Sequence, residues 1–268
     1  MRYNLPLMTL AFTLLLFSCK KDHPPVVPPP APTPKILLKN IDITRAPSPF
    51  YHFEYNKDST ISRAGFEDGV GLYDVFYSGN KIAEMRDMNP ANKDTLRYVY
   101  DSQGKLRTIN IIDDDAHVIT RRFNFTFEGN MLKKIQREEQ SEGGFVIYKI
   151  QQFDYYSDGN LKTKIDQRRT ISGESSDTTL YEQYDNKVNV DDFDIVNGSI
   201  NEHLLLFQGF RLQKNNPGKV TFTQPGGVNN SVTTYIYTYN PDNTPSKRMG
   251  DALTAGIHTL FDITYTYY

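Results

Sequence analysis

The chain has 268 residues, with 30 Lys and Arg against 32 Asp and Glu, so its charge is nearly balanced and leaves no basic footprint for nucleic acid. A single cysteine, Cys19, excludes intramolecular disulfides and metal sites built from several cysteines. Aromatic content is 13%, with 18 Tyr, 16 Phe and no Trp, which suits strands that are apolar in body and wet at the tip.

The chain opens on a sorting signal. Arg2 precedes the apolar run LPLMTLAFTLLLF (5–17), which is too short to span a bilayer comfortably. It ends in Leu16-Phe17-Ser18-Cys19, which resembles a bacterial lipobox, although Phe17 departs from the commonest pattern. The resemblance implies a signal peptide over 1–18 and a lipidated Cys19, a palmitate-type anchor, as the new N-terminus. Pro24, Pro25, Pro28, Pro29, Pro30, Pro32 and Pro34 follow within residues 20–34; they fix φ and remove backbone donors. At ~3.1 Å per residue in polyproline II this stretch makes a semi-rigid spacer of roughly 30 Å. Residues 19–34 therefore read as lipidated cysteine and tether. Lys20-Lys21-Asp22 resembles the short charged tags of surface-exported Bacteroidetes lipoproteins. The expected location is the outer membrane, lipid-anchored, with cell surface and periplasmic face both open.

From Lys35 onward the chain reads as one domain, 35–268, built from a repeat. VFYSGNKIAEM (75–85), YVYDSQGKLRTI (98–109), FTFEGNMLKKI (125–135) and FDYYSDGNLKTKI (153–165) are variants of one hairpin. Their turn glycines are Gly79, Gly104, Gly129 and Gly159. Before each turn, two residues at spacing two share a strand face: Val75/Tyr77, Tyr98/Tyr100, Phe125/Phe127 and Phe153/Tyr155. After it come Ile82/Met85, Leu106/Ile109, Leu132/Ile135 and Leu161/Ile165. Spacing three puts two residues on opposite faces of a flat strand, so one face requires a bulge beside the turn. Residues 50–66, 233–249 and 261–268 read as further copies, for six or seven hairpins in all. One hairpin is marginal alone and needs neighbours to bury its aromatic face. The predicted fold is all-β: an antiparallel meander forming a large curved sheet or a barrel-like domain.

One segment breaks the pattern. Ser199-Ile200-Asn201-Glu202 has the form of a capping box, and Ile200, Leu204 and Phe207 follow at helical spacing before Gly209. A short helix over 200–208, lying on or plugging the sheet, is predicted, with a buried strand through HLLLF (203–207) as the alternative.

The Y-x-Y-D-x-x-G-x-L pattern is similar to YD/Rhs-type repeats. The series Tyr184-Asp185-Asn186-Lys187-Val188-Asn189, then LLLF (204–207), then Asn215-Asn216-Pro217, resembles a Bacteroidetes lipoprotein family of unknown function with a porin-like β fold. The likeness spans roughly residues 50 to 268. It implies a curved or barrel-like domain in the cell envelope, and it transfers no catalytic residue.

Side chains that could carry chemistry are few. His52, His117, His203 and His258 are scattered without metal-ligand spacing. No nucleophile elbow or phosphate-cradling loop occurs. Asp113-Asp114-Asp115 and the group Asp191, Asp192 and Asp194 are weak calcium candidates that lack the spacing of an EF-hand. Tyr235, Tyr237 and Tyr239 form a row that could stack on sugars or, more simply, line a sheet core. Ser59, Thr95 and Thr178 sit in Asp-Ser/Thr triplets that resemble O-glycosylation acceptors. No catalytic residue, metal or cofactor is assigned. The expected partners are the membrane, through the lipid, and a glycan or envelope protein. The reading is a binding or scaffold protein rather than an enzyme, with a glycan-acting hydrolase or carbohydrate-binding module as the rival.

Overall fold

The computed structural model describes residues 36–90, 93–170, 173–197, 203–227 and 229–268. The expected signal peptide, Cys19, the expected tether and the capping-box residues 199–202 lie outside the described residues. Sixteen strands follow one another in chain order. The first eight are β1 (Leu38–Ile43), β2 (Tyr51–Tyr55), β3 (Ile61–Phe66), β4 (Gly71–Ser78), β5 (Lys81–Asp87), β6 (Asp94–Tyr100), β7 (Leu106–Asp113) and β8 (Val118–Glu128). They are followed by β9 (Met131–Ser141), β10 (Gly144–Tyr155), β11 (Leu161–Thr170) and β12 (Gly173–Tyr184). After a helix, α1 (Phe193–Val196), come β13 (Pro217–Thr223), β14 (Ser231–Tyr239), β15 (Pro245–Thr254) and β16 (Ile257–Tyr267). Each strand pairs antiparallel with its neighbours in sequence, and β1 closes on β16 to make a barrel. The meander is thus complete, with more hairpins than the six or seven counted from the repeat.

The odd spacing of the repeat has a structural answer. In β4–β5 the register runs Phe76↔Glu84, then Tyr77↔Ile82, so Ala83 is skipped in a bulge. The same shift sits between Val99 and Tyr100, Thr126 and Phe127, and Asp154 and Tyr155. Each bulge returns the second aliphatic to the inner face, where Ile82, Met85, Leu106, Ile109, Leu132 and Ile135 are all buried. The fourth copy differs. Leu161 is buried there, but Ile165 pairs with Gln152 on the outer face and Lys164 takes the inward place opposite Phe153.

The tight turns gather at one end of the barrel. Gly79, Gly104, Gly129 and Gly159 have φ of 61°, 80°, 57° and 90°, a region that an L side chain enters only at a cost. Just inside that end, a tyrosine at the close of each strand donates its hydroxyl to the carbonyl of a residue at or near the start of the strand before it. The bonds are Tyr55 to Leu38 (2.7 Å), Tyr77 to Ile61 (2.9 Å), Tyr100 to Ile82 (2.8 Å) and Tyr155 to Leu132 (2.8 Å). Tyr184 to Leu161 (2.7 Å), Tyr237 to Pro217 (3.1 Å) and Tyr267 to Pro245 (2.7 Å) continue the ring. A repeated tyrosine beside the bulge therefore ties its strand to the strand before it, on the side away from the ladder that the bulge interrupts. On β8 the equivalent residue is Phe127, which packs edge-on against Phe210 at 5.1 Å instead.

Polarity runs outward. Inner faces carry the apolar core, while outer faces carry ion pairs such as Arg63–Asp74 (2.8 Å), Arg97–Glu84 (3.1 Å) and Lys247–Asp262 (2.8 Å). An apolar spot on β14–β16, where Ile236 and Leu260 are 66% and 67% exposed, interrupts this wall.

Candidate functional site

A barrel of sixteen strands encloses more space than the wall side chains fill. Here the described parts of the connection between β12 and β13, residues 185–197 and 203–216, turn inward and occupy it. Leu204, Leu205, Leu206 and Leu212 are buried in the same core as the strand aromatics. Among the described residues the one helix is α1, at Phe193–Val196, earlier in the chain than the 200–208 predicted from periodicity. Residues 203–207 have no regular secondary structure, so neither the helix nor the alternative strand forms across them. Their backbone is held by side chains: Tyr98 Oη donates to the Leu206 carbonyl (3.1 Å), and Asn197 Oδ1 accepts from the Leu205 amide (2.9 Å). An apolar run can be buried without being a helix or a strand when wall side chains meet its polar groups.

The polar part of the interior follows from the repeat. Three residues beyond the first inward position after a turn, β3, β5, β7 and β9 place Ala64, Met85, Ile109 and Ile135 in the core. On β11 and β15 that position holds Lys164 and Arg248. Both cations meet the plug at α1. Lys164 Nζ donates to the Ile195 carbonyl (3.2 Å), and Arg137 of β9 donates to the Val196 carbonyl, so two wall cations sit at the C-terminal end of the short helix. Arg248 Nη2 lies 3.1 Å from Asp191 Oδ2 and 3.6 Å from Asp194 Oδ2, and Tyr265 Oη donates to the same Asp191 oxygen (3.1 Å). A second cluster surrounds Asp166. Lys164 Nζ approaches it at 2.9 Å, Gln151 Nε2 donates to it at 2.9 Å, and Lys149 Nζ stands 3.9 Å away. Burial pushes Asp166 up, but Lys164 and Lys149 outweigh it and hold its carboxyl below the usual range. Burial and the neighbouring Arg137 bring Lys149 down to about 7.

Asp194 occupies a different setting. Tyr51 Oη of β2 donates to it (3.3 Å), and Arg248 of β15 flanks it. Wall residues of β2, β9, β11 and β15 thus surround α1, yet the Asp194 side chain is 49% exposed. It faces the open part of the lumen, on the side of the loops opposite the glycine turns. Partial desolvation by the surrounding wall and the adjacent Asp191 raise its carboxyl above the usual range, against the pull of Arg248. Asp192 points elsewhere and accepts the Leu212 amide (2.9 Å) and the Gln213 amide (3.3 Å); burial raises it to about 7.

The three carboxylates proposed as calcium ligands are therefore not brought to one point. Among the described residues no group of three His, Cys, Asp or Glu is arranged to hold a metal ion. Of the histidines, His203 has a structural post that the sequence did not signal: it is buried between Tyr73 Oη and Asp94 Oδ2 (2.8 Å). Tyr235, Tyr237 and Tyr239 face inward, with Tyr237 stacked on Tyr239 at 5.9 Å, and so line the sheet core rather than an outer platform. Ser59 lies in a turn with φ 66°, while Thr95 is only 5% exposed and donates to Asp114.

Among the described residues, cavities open at the turn end: a small one of about 90 Å³ beside Gly104 and Phe210, and two larger ones. One of about 200 Å³ lies between the two arms of the plug, lined by Val190, Phe193, Leu205, Phe207, Phe210 and Leu212, with Asn189, Asp192, Val196 and Arg211. The other, about 170 Å³, lies between the plug and β1–β3, and shares Val190, Phe193 and Arg211 with the first.

Two solved structures share this architecture. A porin-like protein from Bacteroides uniformis is 14% identical, with a TM-score of 0.57 over 87% of this chain and 95% of that one. Another porin-like protein, from Bacteroides vulgatus, is 18% identical, with a TM-score of 0.55 over 87% of this chain and 99% of its own. The likeness is one of fold. No protein-family model and no curated protein matches the chain.

Proposed function

We propose that the chain is a lipid-anchored protein of the outer-membrane envelope whose plugged barrel acts as a binding module or scaffold, not as a pore. The observation that carries this reading is the direction of polarity. A membrane-spanning barrel turns an apolar band outward and a polar lumen inward, whereas this wall turns ion pairs outward and its core inward. The lipobox at Leu16–Cys19 and the proline tether supply the attachment in this reading. Metabolic labelling with a palmitate analogue tests it: the wild type takes the label and Cys19→Ala does not. A labelled alanine variant would end the assignment. Purified protein in a planar bilayer is expected to give no steady conductance.

A second reading is favoured by the lumen-facing Asp194, set among Tyr51, Arg248 and the ring of Tyr235: a site for a polyhydroxyl ligand such as a glycan. Hydrolysis of a glycan needs two carboxylates facing each other across a cleft. Asp194 has Asp191 near it, but Asp191 is buried against Arg248 and Tyr265. Retention on a glycan array without product release, lost in Asp194→Asn, supports binding. Product release that depends on Asp194 moves the protein to the hydrolases.

A further inference from the structure

From the two larger turn-end cavities we infer a second ligand site, for a single acyl chain with an anionic head. The site is separate from the lumen around Asp194 and does not depend on the reading given to that lumen. Three observations carry it. The cavity walls are apolar and aromatic. Val190, Phe193, Leu205, Phe207 and Phe210 line the first, and Leu38, Phe53, Tyr55 and Ile61 line the second with Val190 and Phe193. Both cavities touch the same three residues, Val190, Phe193 and Arg211, so a bent chain can run from one into the other past the Phe193 ring. The cation common to both is Arg211, which is exposed and spends one nitrogen on the Asn189 carbonyl. A guanidinium at the rim of an apolar space recognises a carboxylate head while the chain beyond it leaves water. Asp192 lines the first cavity too, but it accepts the Leu212 and Gln213 amides and burial biases it towards the neutral form, which lessens its repulsion of an anionic head.

The cavities lie where the barrel wall begins, beside Ile36 and Leu38. Their size favours one chain over a two-chain phospholipid. The site has no second carboxylate and no nucleophile in its lining, which makes it a holder of the acyl group.

The test is photocrosslinking of the full chain in isolated membranes with a free diazirine fatty acid, followed by peptide mapping. Crosslinks are expected on residues 189–196 and 205–212 and on the segments around Leu38 and Phe53. Arg211→Glu, an exposed position that leaves the core intact, should cut the yield about tenfold for the free acid, about 1.4 kcal/mol of affinity, and leave the methyl ester unchanged. Val190→Trp should block both probes. Crosslinks confined to the outer apolar spot at Ile236 and Leu260 would overturn the inference. So would yields that neither variant changes, labelling by a two-chain phospholipid probe in place of the fatty acid, or labelling that appears only after residues before Ile36 are cut away.

Discussion

At the scale of single residues, the account separates positions where backbone geometry decides from those where charge does. Gly129 has φ 57° and nothing within 4 Å of an added Cβ, so Gly129→Ala tests conformation alone. It should cost about 1 kcal/mol or more in urea unfolding. Gly143 is as open but is not in the left-handed region, so Gly143→Ala should shift the midpoint little. Tyr100→Phe removes one bond of the tyrosine ring and should cost about 1 kcal/mol. Arg248→Met strands the buried Asp191 and should cost roughly 3–5 kcal/mol, because the remaining charge has lost its partner. Stability should also depend on pH in two limbs. The folded pKa of Asp192 is raised from the ordinary 3.8 to about 7, so the native state binds the extra proton and its stabilisation fades as pH climbs from about 4 to 7. Lys149 is lowered from 10.5 to about 7, so the unfolded chain binds the extra proton and stability recovers as pH rises from about 7 to 10.5. Asp192→Asn should make the first limb shallower, leaving the part due to Asp194, and Lys149→Met should flatten the second, in urea midpoints measured across that range.

At the scale of elements, the hairpins were legible because the turn glycines, the aromatic pair and the aliphatic pair recur in order. The spacing of three was compatible with a bulge or with a helix, and the register between Tyr77 and Ile82 shows the bulge. What the pattern hid was its own exception. Placing Lys164 and Arg248 against Met85, Ile109 and Ile135 marks two cations at core positions, but that comparison requires knowing where the bulges fall. The plug was legible only as an apolar run. Helical spacing in Ile200, Leu204 and Phe207 pointed to a helix, but in the described part of that stretch the wall, through Tyr98, and the plug's own Asn197 provide the backbone partners that a helix would have provided. His203 carried no signal because its partners, Tyr73 and Asp94, are distant in sequence. Leu205→Ala should cost about 2–5 kcal/mol, as for a leucine deep in a domain core. A loss near zero in thermal unfolding would mean that the plug rests loosely in the barrel.

At the scale of the whole molecule, closure and filling go together. Sixteen strands leave no free edge, and residues 185–197 and 203–216 occupy space that the wall encloses. With the core inside and ion pairs outside, the proposed reading requires the barrel to be stable in water without an apolar solvent around it. That is the central claim, and the composition offers a direct test of it. The chain has no tryptophan, so one introduced on the outer face reports its surroundings without background. Val99 on β6 and Gln152 on β10 are exposed outward positions on different parts of the wall. Full chains carrying Val99→Trp or Gln152→Trp, reconstituted in vesicles of brominated lipid, should keep a water-exposed emission, be quenched by dissolved iodide and be indifferent to the bromine. Blue-shifted emission quenched by the lipid and shielded from iodide would place the wall in the bilayer and contradict the account.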